Sequence, residues 1–148
     1  MTRFDSRTDV EVIDRRECLE LLAGEVVGRV GIIEGTGPLV LPVNYGLHRD
    51  EVVFRTGPGS KLAASRRSQA CFEIDGFDRV DRSGWSVVVR GRLEEVTVFD
   101  RGLLDEVEHL AEPWIGSGRP NIVRLIPSII SGRRVRSTPA SPPSTSSP

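Results

Sequence analysis

The chain of 148 residues has the length of a single domain, and its 20 basic and 21 acidic residues leave a formal net charge of -1. This balance excludes a protein-wide attraction to nucleic acid or to an anionic membrane, so any anion site must be local. Cys18 and Cys71 are too few and too far apart for a disulfide framework or a thiolate metal cluster, and no apolar run approaches the roughly 20 residues of a membrane helix. We therefore expect a cytoplasmic protein with no metal and with no nucleic-acid or membrane partner.

The first part of the chain predicts one helix followed by strands. The helix is expected after Asp14, because Glu17 stands at capping-box spacing and apolar residues recur at helical spacing up to Gly24. Segments rich in β-branched residues, separated by turn chemistry, then predict an antiparallel meander. Its strands are 26–33, 39–45 and 51–56.

The second part predicts further strands and two more helices. Alternation is clearest after Trp85, where apolar side chains share one face and charged side chains share the other. Ser60 is suited to cap a short helix that begins at Lys61, and Asp100 is suited to cap a helix that Pro113 ends. The remaining predictions are strands 70–75 and 85–96, and strands 122–126 and 129–135 on either side of Pro127.

The order of these elements predicts the fold class and the domain boundary. Six or seven short strands with only peripheral short helices favour a mainly β protein, an antiparallel split β-barrel, over a βαβ fold. The segment 137–148 contains no large apolar residue and cannot bury enough surface to offset its ordering entropy. We expect a domain of residues 1–136 and a disordered Pro/Ser/Thr-rich tail of residues 137–148.

The segment 55–61 is a candidate phosphate cradle. It ends a strand, turns through glycine and opens a helix, and its side chains offer charge from Arg55 and Lys61 and hydroxyl groups from Thr56 and Ser60. The spacing fits neither the P-loop nor the dinucleotide fingerprint. An ordinary turn with an ordinary cap explains this segment about equally well. The lysine favours the functional interpretation, since Lys61 is the only lysine beside 19 arginines.

Several further segments, in this order, give the chain a family resemblance. They are Gly28-Arg29-Val30-Gly31, Pro42-Val43-Asn44-Tyr45, Phe54-Arg55-Thr56 with Ser60-Lys61, Gly84 to Gly91, and Ile126-Pro127 with Ile130 to Arg134. Together they resemble the pyridoxamine 5'-phosphate oxidase-like flavin-binding split-barrel family over residues 14–136. The chain is similar to its short actinobacterial-type members. It lacks the arginine that the vitamin-making oxidase carries on the second strand, which argues against oxidation of pyridoxamine phosphate.

The resemblance implies an FMN-binding homodimer that acts as an oxidoreductase on a small-molecule substrate. It places three groups of residues at the cofactor and names no catalytic residue. These groups are Arg55, Thr56, Ser60 and Lys61 at the phosphate; Val43, Asn44 and Tyr45 near the ring; and Trp85 and Ser86 reaching the ring from the partner subunit.

Alternatives remain open at this stage. The same fold serves the deazaflavin coenzyme F-420 in some relatives, and a non-enzymatic flavin carrier, a sensor or an interaction protein with an empty cradle is also compatible. Haem is the least favoured cofactor, because His48 lies in an expected turn and His109 at a helix end. The neighbouring carboxylates Glu94 and Glu95 are interpreted as an exposed strand face, and Trp114 is expected to pack against the barrel.

Overall fold

The structure, a computed structural model, describes residues 4–5, 9–57, 69–97, 99–110 and 121–136. Within these ranges the chain forms two helices and eight strands. In chain order they are β1 (Phe4–Asp5), β2 (Val10–Ile13), α1 (Arg15–Gly24), β3 (Val27–Glu34), β4 (Gly37–His48), β5 (Glu51–Thr56), β6 (Gln69–Asp78), β7 (Ser83–Val96), α2 (Arg101–Val107) and β8 (Asn121–Val135).

Six of these strands close into an antiparallel barrel. Their order is β8, β5, β4, β3, β6 and β7, and β7 pairs back onto β8. One edge of β8 pairs with β7. The other edge pairs with β5 from Asn121 to Leu125 and with β2 from Gly132 to Val135. This division of β8 between two neighbours splits the barrel, and β1 extends the sheet beyond β2.

The interior of the barrel is filled by alternate side chains of its strands. Phe54 and Phe72 are fully buried there, and α1 adds Cys18 and Leu22 at one end. Each such large apolar side chain stabilises the fold by about 1.5–3 kcal/mol on burial. A second cluster packs the opposite face of β5 against α2, and it contains Val53, Val96, Val107 and Ile122.

The predicted fold class is confirmed. Of the described strands, seven have four residues or more, and β1 adds a pair of residues. Asp14 caps α1 as expected, because its Oδ1 accepts a hydrogen bond from Glu17 N at 2.8 Å. The alternation after Trp85 is also confirmed, since Val87, Val89 and Leu93 are all buried.

The prediction that Pro127 separates two strands is wrong. β8 runs unbroken through it, and the register with β7 shifts so that Gly91 faces Pro127 while Arg90 faces Ile129. Ser128 is the extra residue of this bulge, and its hydroxyl donates to the Arg90 carbonyl at 3.0 Å. Proline has no backbone N–H to donate, but at a bulge the hydrogen-bond ladder is locally interrupted, so the strand continues through Pro127.

Two further details differ from the predictions. Asp100 occupies the N-cap position of α2 but makes no capping hydrogen bond to it. Its Oδ2 instead accepts from the backbone N and the hydroxyl of Thr97, at 3.4 and 3.3 Å, and so closes the turn before the helix. Strand β2 was not predicted at all.

Some predictions lie outside the described residues. They are the helix from Lys61, the helix stop at Pro113, the packing of Trp114 and the tail of residues 137–148. In the part of the chain that the structure describes, no helix combines the length and the apolar character that crossing a bilayer requires.

Candidate functional site

At the strand end that was predicted to hold a phosphate, the side chains of Thr56 and Arg55 lie in different environments. Thr56, the last residue of β5, is 2% exposed, and its Oγ1 has no hydrogen-bond partner among the described residues. The neighbouring Arg55 points to the other face of β5, where its guanidinium donates to the carbonyl of Glu108, just after α2. A buried hydroxyl without a partner is costly, so Thr56 is suited to receive a polar ligand atom. Ser60 and Lys61 lie outside the described residues.

The β4 residues named at the ring divide between two faces of the sheet. Val43 and Tyr45 are buried in the barrel core, at 8% and 5% exposure. The Tyr45 hydroxyl donates to the Leu22 carbonyl, and burial raises the pKa of Tyr45. Asn44 lies between them on the outer face, beside Arg55, because Tyr45 pairs with Phe54 across β4 and β5. The structure thus brings Asn44, Arg55 and Thr56 to one end of the barrel.

Trp85 and Ser86 lie near the start of β7, four strand steps from Arg55 in the order β7, β6, β3, β4 and β5. At about 4.8 Å a step, this path measures roughly 19 Å along the curved sheet. Through β8 the cradle is instead level with the last residue of β7, because Ile122 pairs with both Arg55 and Val96. The two paths differ because the strands of a closed barrel are staggered.

A cavity lies beside Trp85. Its volume is about 500 Å³, and Trp85, Phe77, Arg134 and Arg136 are among the residues that line it. The indole lies flat on Gly76, where a Cβ atom would come within 2.7 Å of the ring nitrogen. The glycine therefore makes room for the ring, and the cavity combines aromatic and cationic side chains.

A cluster of three charged residues on the outer face was not singled out from the sequence. Arg29 Nη1 lies 3.8 Å from Glu73 Oε1 and 3.9 Å from Asp75 Oδ1, and that Glu73 oxygen is buried without a hydrogen-bond partner among the described residues. Burial raises the pKa of Glu73 to about 7, the neighbouring Asp75 carboxylate adds to the rise, and the Arg29 guanidinium opposes it. A carboxyl group that titrates near neutral pH is able to hold or release a proton.

This cluster stands on the same face as one of the predicted residues. Asp75 pairs directly with Ser86 across β6 and β7, and Arg133 pairs with Ser86 from β8. The available sequence signal was two acidic residues spaced by two on a strand, but that pattern is also typical of an exposed face.

The raised pKa of Glu73 predicts a dependence of stability on pH. The folded chain keeps this proton at pH values where an unfolded glutamate, with a pKa near 4.5, has lost it. The free energy of unfolding should therefore fall as pH rises from about 4.5 to about 7, and then level off. Glu73→Gln should remove this fall and have its largest stabilising effect above pH 7. Thermal unfolding at pH 5, 6, 7 and 8 measures the effect.

The matched control is Glu20→Gln, because Glu20 is exposed on α1 and pairs only with Arg16 in the described part of the chain. Its stability difference from the parent protein should not change between pH 5 and 8. A Glu73→Gln curve parallel to that of the parent would contradict the raised pKa.

Other charged groups have structural partners. Glu94 and Glu51 both accept hydrogen bonds from Arg124, at 3.2 to 3.3 Å, and so tie β7 and β5 to β8. This network agrees with the interpretation of Glu94 as part of a strand face. His48, expected in a solvated turn, is instead the last residue of β4 and only 15% exposed, with Nε2 at 2.7 Å from Glu106 Oε2.

Comparisons with known proteins agree with the resemblance that the sequence predicted. The family model described as pyridoxamine 5'-phosphate oxidase matches residues 14–134. An uncharacterised protein of Mycobacterium tuberculosis, Rv0080, is 32% identical over 136 residues, which is 88% of each chain. Among solved structures, an FAD-binding protein from Mycobacterium smegmatis is 32% identical with a TM-score of 0.72, over 86% of this chain and 99% of that one. A conserved protein of unknown function from Corynebacterium diphtheriae is 29% identical with a TM-score of 0.72, over 85% and 98% of the two chains.

Proposed function

This chain belongs to the pyridoxamine 5'-phosphate oxidase family, and we propose that it is a cytoplasmic flavoprotein that binds FMN and acts as an oxidoreductase on a small-molecule substrate. The observation that carries the proposal is the buried, unpartnered hydroxyl of Thr56 at the end of β5, where the preceding residue, Arg55, presents its guanidinium on the other face of the strand. The similarity to an FAD-binding protein at 32% identity supports a flavin as the ligand.

The residues at the end of β5 fit a flavin phosphate. The Thr56 hydroxyl supplies a donor that has no acceptor in the described part of the chain. Arg55 supplies a guanidinium with five N–H donors, and the Glu108 carbonyl accepts from only one of its nitrogens. In the proposal Ser60 and Lys61, which follow in the sequence, complete the phosphate site. Charge-assisted hydrogen bonds of this kind are the strong ones, and the phosphate is the part of the cofactor that they would hold.

The chemistry divides between the cofactor and the protein. FMN supplies hydride or electron transfer when it is bound, and the protein binds and orients it. Asn44 is the β4 side chain placed on the outer face beside Arg55, so we assign it to the ring, whereas Val43 and Tyr45 act from the core by fixing the strand. Glu73 Oε1 is an atom suited to hold a proton on the face that carries Ser86.

In the proposal the protein is a homodimer, because the family resemblance brings Trp85 and Ser86 to the flavin from the partner subunit. Within one chain, four strand steps of the sheet separate these residues from Arg55. Exposed apolar surface supports this association, since Ile33 and Val40 are each 66% exposed beside an apolar groove of about 430 Å³. A two-fold pair of chains would then hold two equivalent sites.

Absorption spectroscopy of the purified protein tests the cofactor. We expect a yellow protein with flavin absorption, or a colourless one that takes up FMN with micromolar or better affinity, and FMN as the compound released on denaturation. Release of FAD would still identify the cofactor as a flavin, but a longer one than FMN, because FMN and FAD share the riboflavin phosphate. Uptake of only the deazaflavin coenzyme F-420 would favour that alternative, and binding of none of these compounds would contradict the proposal.

Turnover separates an oxidoreductase from a flavin carrier or a sensor. An enzyme should pass through repeated reduction and reoxidation of its bound flavin with small-molecule donors and acceptors. A bound flavin that no small molecule reoxidises would favour the non-enzymatic alternative.

A further inference from the structure

The Arg55 guanidinium is held by a backbone contact that the family resemblance does not describe. The acceptor of the Arg55 guanidinium is the carbonyl of Glu108, in the turn that follows α2. The position of Arg55 therefore depends on the position of this turn. Helix α2 has only seven residues, and so short a helix is held in place by its tertiary contacts more than by its own hydrogen bonds.

Three contacts fix the turn against β4 and β5. Val107 is 1% exposed and packs on the β5 face that carries Val53. Leu110 lies on the backbone of β4, where a Cβ atom at Gly46 would come within 2.5 Å of the Leu110 carbonyl oxygen. The third contact is polar and joins His48, the last residue of β4, to Glu106 at 2.7 Å.

The polar contact between His48 and Glu106 has the geometry of a specific hydrogen bond. The His48 side chain is 15% exposed, its Nδ1 is buried without a partner among the described residues, and its Nε2 forms the hydrogen bond with Glu106 Oε2. Arg49 approaches the same carboxylate oxygen only to 3.9 Å and is 80% exposed. The two neighbouring side chains therefore differ in burial and in distance from one carboxylate.

We propose that His48 and Glu106 are positioning residues that hold the turn after α2, and thereby hold Arg55 ready for the flavin phosphate. The inference rests on the proposed function, since it concerns the same phosphate site. Without the hydrogen bond between His48 and Glu106, the turn that carries the Glu108 carbonyl is less fixed. Arg55 must then lose more side-chain freedom when it binds the ligand. Because riboflavin has no phosphate, its affinity should not depend on this hydrogen bond.

The test compares FMN and riboflavin binding in four proteins by fluorescence titration: the parent protein, Glu106→Ala, Glu106→Gln and Arg49→Ala. We expect Glu106→Ala to weaken FMN binding about 3- to 10-fold and to leave riboflavin binding unchanged. Glu106→Gln keeps an oxygen acceptor for His48 and should restore most of the affinity for FMN. Arg49→Ala is the matched control and should behave as the parent protein. Hydrogen exchange of the amides of residues 106–110, measured without ligand, should become faster in Glu106→Ala only.

The outcomes separate the two proposals. A parent protein that prefers FMN to riboflavin, together with a Glu106→Ala variant that keeps the same preference and the same hydrogen exchange, would overturn the positioning role alone. Equal weakening of FMN and riboflavin in Glu106→Ala would also overturn it, because that pattern indicates a general loss of structure. A parent protein that binds FMN no more tightly than riboflavin would overturn the positioning role together with the phosphate site at the end of β5, whereas a parent protein that binds neither would overturn the proposed function.

Discussion

Lys61→Ala is expected to weaken FMN binding about 10- to 100-fold, which corresponds to roughly 1.5–3 kcal/mol for a hydrogen bond to a charged group. The proposed phosphate site would lose a compact point charge, and the remaining donors would come from Arg55, Thr56 and Ser60. Riboflavin affinity should hardly change, because riboflavin has no phosphate for the ammonium group to contact. Isothermal titration of each ligand into the cofactor-free protein measures both affinities.

Two further variants sharpen this prediction. Lys61→Arg keeps the charge but replaces a point charge with a planar fork, so we expect a partial loss of FMN affinity. Arg16→Ala is the control, since Arg16 is 89% exposed on α1 and pairs there with Glu20. If Lys61→Ala leaves FMN affinity unchanged, segment 55–61 is an ordinary turn and the phosphate assignments fail with it.

Mixed dimers of two damaged chains are expected to recover one undamaged site. A heterodimer of a Lys61→Ala chain and a Trp85→Leu chain would pair the native Lys61 of one chain with the native Trp85 of the other in one site. The second site would carry both substitutions. We therefore expect each heterodimer to bind one FMN with the affinity of the parent protein, whereas both parental mutant homodimers bind FMN only weakly.

The reason lies in the proposed dimer, in which Trp85 of one chain contacts the flavin that Arg55 and Lys61 of the other chain hold. Within one chain, Trp85 and Arg55 are separated by four strand steps of the sheet. Trp85→Leu keeps an apolar side chain over Gly76 while removing the indole. Heterodimers carrying two different tags are purified in sequence and titrated with FMN. Two weak sites per heterodimer, and no strong one, would place the whole site within a single chain.

The predictable part of the fold was encoded in local patterns. Asp14 with Glu17 specified the start of α1, because a capping hydrogen bond spans only three residues. Alternation specified β7, since Val87 and Val89 point into one core regardless of the neighbouring strands. The closed order of the strands was available only through the family resemblance.

The parts that local patterns missed depend on distant partners. Pro127 is compatible with a continuous β8 only because Gly91 of β7 lies opposite and the register shifts there. Strand β2 has only four residues and exists through its pairing with the end of β8, 119 positions or more further along the chain. Neither partner is visible from the segment itself.

The candidate site shows the same division. Arg55 and Thr56 were identified because a strand end, glycines and a possible helix start follow one another in the sequence. The contacts of Glu73 with Arg29 and of His48 with Glu106 join residues far apart in the chain, and the burial that raises the pKa of Glu73 depends on neighbouring strands. Sequence patterns identified the groups that are proposed to bind the cofactor, whereas the structure added those that are proposed to tune or position them.

The most direct test of the phosphate site is a paired titration of the cofactor-free parent protein with FMN and with riboflavin at the same pH and salt concentration. The two ligands differ only by the phosphate, so the ratio of their dissociation constants reports the contribution of the site that contains Arg55, Thr56 and Lys61. We predict that FMN binds at least about 10-fold more tightly than riboflavin, from one or more charge-assisted hydrogen bonds. Equal affinities for the two ligands would contradict a phosphate site at the end of β5.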